Sequence, residues 1–109
     1  MIIYLIMIEL PNPLSFQWDK GNIDKNLKKH GVTTLEAEEL FFCKPLKLRN
    51  DIFASTEEER FIALGRTKTG RKLFAAFTVR RRSVRVISVR DMTDKERRLY
   101  ERFKKNPKF

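Results

Sequence analysis

Residues 60 to 91 contain three strand-like stretches separated by two short polar turns, and this pattern constrains the fold most. The stretches are Arg60 to Arg66, Lys72 to Arg80 and Ser83 to Asp91, with turns at Thr67-Lys-Thr-Gly70 and Arg81-Arg82. Polar residues and Gly at the turns are typical of β-hairpins. A chain of 109 residues has room for one compact domain. The three stretches therefore predict the sheet on which the other elements pack.

Alternation within the last two stretches predicts which side chains share a face. In the middle strand the odd-numbered residues from Leu73 to Val79 lie on one face. In the last strand a strict period of two places the even-numbered residues from Val84 to Arg90 on one face and Arg85, Ile87 and Val89 on the other. Both faces carry apolar residues, so we expect both sides of the sheet to be covered.

Helix signals flank these strands. Phe16-Gln-Trp18 reads as a short strand before a helix from Asn22 to Lys29, which His30-Gly31 ends. Thr33-Thr-Leu-Glu36 and Thr93-Asp-Lys-Glu96 both have capping-box spacing and begin the second and the last helix. The order β-α-α-β-β-β-α predicts an α+β domain.

Apolar spacing predicts the buried face of each helix. The expected buried residues are Ile23 and Leu27 in the first helix, Leu35, Ala37, Leu40 and Phe41 in the second, and Leu99 and Phe103 in the last.

Positive charge is concentrated in one half of the chain. From Gly65 onward there are sixteen Lys and Arg against four Asp and Glu, a balance of +12, whereas residues 1–64 carry eight against ten, a balance of −2. A dense cationic surface attracts polyanions through its long-range field and through counterion release. A phosphate backbone is the leading candidate, and an acidic protein is an alternative.

The N-terminus and the cysteine content predict where the protein acts. The apolar run Met1 to Ile8 lacks a basic n-region and a cleavage site, and it is far shorter than the ~20 residues of a membrane span. Pro11-Asn-Pro13 separates it from the rest, so we expect an extension at 1–14 and a single domain at 15–109. Cys43, the one cysteine, cannot form an internal disulfide. This favours a reducing cytoplasm and no membrane partner.

A set of residues that occur in order along the chain carries a family resemblance. They are Phe16-x-Trp18-Asp19, Asn26 with Lys29-His-Gly31, Glu59-Arg60-Phe with Gly65-Arg66, Ile87-Ser-x-Arg90, and Glu96-Arg97 with Tyr100-Glu101. This set resembles the BrnT family of toxins from type II toxin–antitoxin systems, over residues 16–102. The resemblance implies a RelE/ParE-like fold, a small antiparallel sheet flanked by helices, and a ribonuclease that stops translation by cutting RNA.

The resemblance also implies the partners. The antitoxin is expected to be BrnA-like, with a ribbon-helix-helix DNA-binding part, and the complex to be a heterotetramer of two toxins on an antitoxin dimer. Operator DNA would then be contacted only through the antitoxin.

RNA cleavage through the 2′-hydroxyl requires a proton acceptor, a proton donor for the leaving 5′-oxygen, and fixed positive charge at the phosphate oxygens. Arginine suits the third task because its planar fork binds two oxygens at once. The expected catalytic residues are Arg66, Arg85, Arg90, Ser88 and Tyr100.

Phosphates of the RNA are expected to bind a second group of cations, which consists of Lys72, Arg80, Arg81, Arg82 and Arg98. His30, the one histidine, is expected to serve the helix end instead, because a His there interacts favourably with the helix dipole. No cluster of His, Asp and Glu at ligand spacing indicates a metal, so neither metal nor cofactor is expected.

Two other functions are compatible with the charge. One is a basic module that binds RNA or DNA without cutting it. The other is a protein whose basic surface serves chiefly to dock an acidic antitoxin.

Overall fold

Three helices and five strands form the fold in the computed structural model, which describes residues 9–51 and 58–108. In chain order the elements are β1 Phe16–Gln17, α1 Lys20–His30, α2 Thr34–Phe42, β2 Lys47–Asn50, β3 Phe61–Arg66, β4 Lys72–Arg80, β5 Ser83–Asp91 and α3 Asp94–Lys105. The predicted α+β class is confirmed. The apolar run at residues 1–8 lies outside the described residues. Within the described ranges, no helix has the length and apolarity that a membrane span requires.

The strands form one sheet in the order β1-β5-β4-β3-β2. The expectation of a wholly antiparallel sheet is wrong, because β1 runs parallel to β5 while the other neighbours are antiparallel. The predicted element order also lacks one strand, since β2 pairs along its whole length with β3. Strands of two and four residues are too short to show a period in the sequence, so their pairing could not be predicted from it.

Helices α1 and α2 cover one face of the sheet. Their core contains Val32, Leu40, Phe41 and Phe77, each at most 5% exposed. The predicted capping box of α2 is present, because Thr33 accepts from the Glu36 N–H and the Glu36 carboxylate accepts from the Thr33 N–H.

Two of the helix residues expected in the core are exposed instead. Leu27 is 50% exposed and Leu35 is 65% exposed. At about 100° per residue, Leu35 points at least 120° away from the buried positions Ala37, Leu40 and Phe41 of the same helix. Leu27 is displaced because α1 presents another stripe to the sheet.

That stripe of α1 covers the free edge of β5. Asn22 Nδ2 donates to the Val86 carbonyl at 3.0 Å, and Lys25 Nζ donates to the Ile87 carbonyl at 3.1 Å. Asn26 Oδ1, which is buried, accepts from the Val89 N–H at 3.2 Å. An unpaired strand edge is a template for aggregation, and these side chains satisfy it.

Helix α3 packs on the opposite face of the sheet, which we call the α3 face. The predicted capping box of Thr93 and Glu96 begins this helix. Leu99 and Phe103 pack inward as predicted, around the fully buried Tyr100.

Strand β5 does not keep the strict period of two that its sequence suggests. Val86 pairs with Phe77 and Ser88 pairs with Ala76, so Ile87 has no partner on β4 and forms a β-bulge. The predicted faces are therefore wrong beyond Ile87. Because the bulge inserts one residue, Ser88 and Arg90 lie on the same face as Arg85.

Candidate active site

The bulge brings three of the predicted catalytic residues onto the α3 face. Three directly paired positions follow one another along β4 and β5: Phe74 with Arg90, Ala76 with Ser88, and Thr78 with Arg85. Successive pairs are about 7 Å apart along a strand. Ser88 therefore lies between the two arginines, and its hydroxyl makes no hydrogen bond to the described part of the chain.

Arg85 is held at the edge of this face by the first turn of α1. Its Nη2 donates to Asp19 Oδ2 at 2.7 Å. Asp19 is the N-cap of α1 and also accepts from the Asn22 N–H at 2.8 Å. That backbone bond, followed by the charge of Arg85, lowers the pKa of Asp19 below its ordinary value. The side chain of Arg85 remains 29% exposed, so an anion can reach its guanidinium.

Arg80 lies one pair further along β4 and faces Glu58. Its Nε donates to Glu58 Oε2 at 2.6 Å. The hydrogen bond from Arg80 lowers the pKa of Glu58, and the nearby charge of Arg85 acts in the same direction. Thr78 donates its hydroxyl to the Glu59 carbonyl at 2.8 Å, which holds this segment against β4. Glu58 was not among the predicted site residues.

Arg90 joins α3 to the sheet. Its two terminal nitrogens donate to the two Glu96 oxygens at 2.8 and 3.0 Å, and its guanidinium lies 3.9 Å from the centroid of the Phe74 ring. Burial acts to raise the pKa of Glu96, but hydrogen bonds from Arg90 and Thr93 hold it below its ordinary value. A guanidinium with a bidentate partner and an aromatic platform is already well occupied.

Three further predicted residues lie at the other end of the face. Tyr100 is fully buried and donates its hydroxyl to the Pro45 carbonyl at 2.6 Å, and burial raises the pKa of that hydroxyl. Lys72 pairs with Glu101 on α3. Arg66 donates from Nε to a backbone carbonyl, that of Lys44, at 3.0 Å.

The predicted residues around Arg85 and those around Arg66 therefore form two groups that cannot contact one phosphate. Arg66 pairs with Lys72 and Arg85 pairs with Thr78. Those two partners are six positions apart on β4, which corresponds to roughly 20 Å along the strand.

The remaining predicted cations lie outside both groups. Arg81 and Arg82 form the two-residue β4–β5 turn, with φ of 49° and 64°, and both are exposed. Such turns usually contain Asn or Gly because other side chains are strained at positive φ. Arg98 is exposed on α3. These three present charge to solvent.

Arg71 forms an extensive side-chain network among the described residues, although it was not among the predicted site residues. Its guanidinium donates to both Asp91 oxygens at 2.8 and 3.0 Å, to the Glu36 carboxylate at 3.1 Å, and to the carbonyls of His30 and Gly31. It therefore ties α1 and α2 to the end of β5. In a segment rich in cations, nothing local distinguishes Arg71 from its neighbours.

The structure also describes the surroundings of His30 and of the acidic side chains. His30 ends α1 as predicted, and its carbonyl accepts from Arg71. Residues 9–51 and 58–108 contain no group of three or more His, Cys, Asp and Glu that could hold a metal ion.

Comparison with known proteins gives the chain a family. The model of a family described as the ribonuclease toxin, BrnT, of type II toxin–antitoxin systems matches residues 18–96. No curated protein matches the chain significantly. The matched region contains α1, α2 and strands β2 to β5, and with them Arg85, Ser88 and the bulge between them. The chain belongs to the BrnT family, the ribonuclease toxins of type II toxin–antitoxin systems.

Proposed function

We propose that this toxin cuts RNA on the α3 face of its sheet, without a metal ion, and thereby inhibits translation. The observation that carries the location is the bulge at Ile87, because it places Arg85 and Ser88 next to each other on one face. β-Bulges are common beside active sites, where they redirect side chains. The toxin domain comprises residues 15–109, is RelE/ParE-like, and acts in the cytoplasm.

The reacting phosphate binds between Arg85, Arg80 and Ser88. The arginine forks bind the non-bridging oxygens, where negative charge grows in the transition state, and the Ser88 hydroxyl donates to one of them. The side chain opposite Ser88 is that of Ala76, which is small and partly exposed, so a phosphate can approach the sheet there.

The other predicted site residues bind or support the rest of the RNA. Arg66 and Lys72 contact phosphates further along the strand, while Arg81, Arg82 and Arg98 attract RNA to the face through their charge. Arg90 and Tyr100 act as positioning residues, because their contacts with Glu96 and Pro45 hold α3 and the start of β2 in place.

The test is a cleavage assay with purified protein and a labelled RNA oligonucleotide in the presence of EDTA. We expect the wild type to cut, and Arg85→Ala to cut at least about 100-fold more slowly, the usual effect of removing one donor to a transition-state oxyanion. Lys28→Ala removes the same charge from an exposed site on α1 and is expected to leave the rate unchanged.

Thermal unfolding of the same variants separates chemistry from folding. The ion pair of Arg85 is partly exposed, so its loss is expected to cost no more than about 1 kcal/mol of stability. A wild type that binds RNA but leaves it intact would favour the non-catalytic binding module. A cut that needs an added divalent ion would refute the metal-independent reaction.

The antitoxin partner follows from the family, and its chemistry from the charge. We propose a BrnA-like ribbon-helix-helix antitoxin whose acidic segment covers the α3 face, in a complex of two toxins on an antitoxin dimer. Operator DNA contacts only the antitoxin. Light scattering of the co-purified pair measures the mass of the complex. A mass equal to one toxin plus one antitoxin would contradict the heterotetramer.

Expression with and without the neighbouring open reading frame tests the biological role. Growth arrest and loss of intact RNA are expected only without the antitoxin. A neutral effect on growth with intact RNA would leave the antitoxin-docking function as the better explanation of the basic surface.

A further inference from the structure

Glu58 places a carboxylate among the arginines of the α3 face. Its Oε2 accepts from Arg80 Nε at 2.6 Å, and Arg85 lies on the same face, on the neighbouring strand β5. From this geometry we infer that Glu58 accepts the proton of the attacking 2′-hydroxyl, a role that rests on the ribonuclease reaction proposed above.

Five other carboxylates form ion pairs within the described residues, and each has a structural role. Asp19, Glu36 and Glu96 occupy N-caps or capping boxes, which satisfy the first N–H groups of α1, α2 and α3. Asp91 joins Arg71 to the end of β5, and Glu101 lies within α3. Glu58 differs because it lies outside the described helices, three residues before β3 begins at Phe61.

Glu58 is also accessible to a substrate. Its side chain is 40% exposed and that of Arg80 is 48% exposed, so RNA can reach both without opening the fold. A general base must come within hydrogen-bond reach of the proton that it takes. A phosphate held by Arg80 brings the neighbouring 2′-hydroxyl into that range.

Phosphate binding makes the carboxylate a better base. In the free protein the hydrogen bond from Arg80, and then the charge of Arg85, keep the pKa of Glu58 below its ordinary value. When a phosphate takes over those guanidinium groups, its negative charge offsets theirs and the pKa of Glu58 rises. The base is therefore activated by the substrate itself.

Solvent water relays the proton in the chemical step and is not consumed. Glu58 takes the proton from the 2′-hydroxyl as the bond from the 2′-oxygen to phosphorus forms and the bond from phosphorus to the 5′-oxygen breaks. A water molecule protonates the leaving 5′-oxygen, and the resulting hydroxide removes the proton from Glu58. The products are a 2′,3′-cyclic phosphate and a 5′-hydroxyl.

The experiment compares Glu58→Gln with the matched control Glu59→Gln. Both remove one negative charge from adjacent positions, but the side chain of Glu59 is exposed and makes no hydrogen bond or ion pair with the described residues. Single-turnover cleavage is measured on an RNA oligonucleotide, and affinity on the same sequence with a 2′-deoxy residue at the cut site. We expect E58Q to cut about 100-fold more slowly or worse, with equal or tighter binding, and E59Q to cut within twofold of the wild type.

A second variant distinguishes a base from a structural partner of Arg80. Glu58→Asp keeps the carboxylate and is expected to retain at least a tenth of the wild-type rate. Wild-type cleavage by E58Q, equal losses in E58Q and E58D, or a parallel loss of rate and affinity would each overturn the assignment. A wild type that does not cut RNA overturns the proposed function first, whereas a wild type and an E58Q that cut equally overturn only the role of Glu58.

Discussion

Replacing Arg71 by Met should reveal how strongly one side chain ties the helices to the sheet. Met keeps much of the length and removes all the donors that bind Asp91, Glu36 and the two carbonyls at the end of α1. The Arg71 and Glu36 side chains are 27% exposed and that of Asp91 is 52% exposed, so each charged contact is discounted for solvent. Summing about 1 kcal/mol for Glu36, about 0.5 for Asp91 and about 0.5 for each carbonyl predicts a loss of roughly 2 to 3 kcal/mol.

Urea unfolding of the wild type and R71M at pH 7, followed by circular dichroism, measures this loss directly. For a domain of this size the same change lowers Tm by roughly 10 to 20 °C. The pKa of Asp91 is held below its ordinary value by Arg71, so the contribution of this pair is present at neutral pH and disappears as the pH falls through the lowered pKa. The difference between R71M and the wild type should therefore shrink below about pH 4. A loss under 0.5 kcal/mol at pH 7, or one that does not change with pH, would refute the reasoning.

Three further outcomes follow from single contacts. Tyr100→Phe should lower stability by about 1 to 2 kcal/mol, because the Pro45 carbonyl loses its donor. The cleavage rate per folded molecule should stay within threefold. A rate loss of about 100-fold with normal stability would instead make Tyr100 catalytic. Gly65→Ala should cost about 1 to 3 kcal/mol in urea unfolding, since the added Cβ would lie 3.0 Å from the Leu40 carbonyl oxygen; an unchanged midpoint contradicts that packing. The free energy of unfolding should be constant from about pH 7 to 5. At pH values under about 4.5 it should decrease, because Glu96 and the other carboxylates with lowered pKa values gain protons. A stability maximum at about pH 4 would be the contrary result.

Features that depend on neighbouring residues could be predicted from the sequence. The capping boxes at Thr33 and Thr93 determine where α2 and α3 begin, because a hydroxyl and a carboxylate three residues apart satisfy each other's backbone N–H groups. The meander and the C-terminus of α1 at Gly31, where φ is 65°, were likewise visible in short patterns.

Features that depend on distant residues could not be predicted in this way. Ile87 reads as an ordinary strand residue, and only the register with β4 makes it a bulge. The face of Ser88 therefore depends on its pairing with Ala76 of β4. A strict period of two placed Ser88 opposite Arg85, whereas the bulge puts them side by side.

The same limit applies to the charges. The net charge of +12 in the second half predicts an anionic partner but does not indicate which cations already form ion pairs. Arg90, Arg80 and Arg85 each bind a carboxylate, and for the last two that carboxylate comes from a distant segment of the chain. Glu58 was not predicted as a site residue, because its arginine neighbours lie on β4 and β5, far from it in the sequence.

Central to the proposed function is a cut made beside Arg85 and Ser88 rather than beside Arg66. Single-turnover cleavage by Arg85→Ala and by Arg66→Ala tests this directly, because the two arginines lie roughly 20 Å apart along the sheet. We predict that R85A loses at least about 100-fold in the rate of the bound complex, whereas R66A loses affinity for RNA and keeps that rate. The reverse result, with R66A slow and R85A only weaker in binding, would contradict the account.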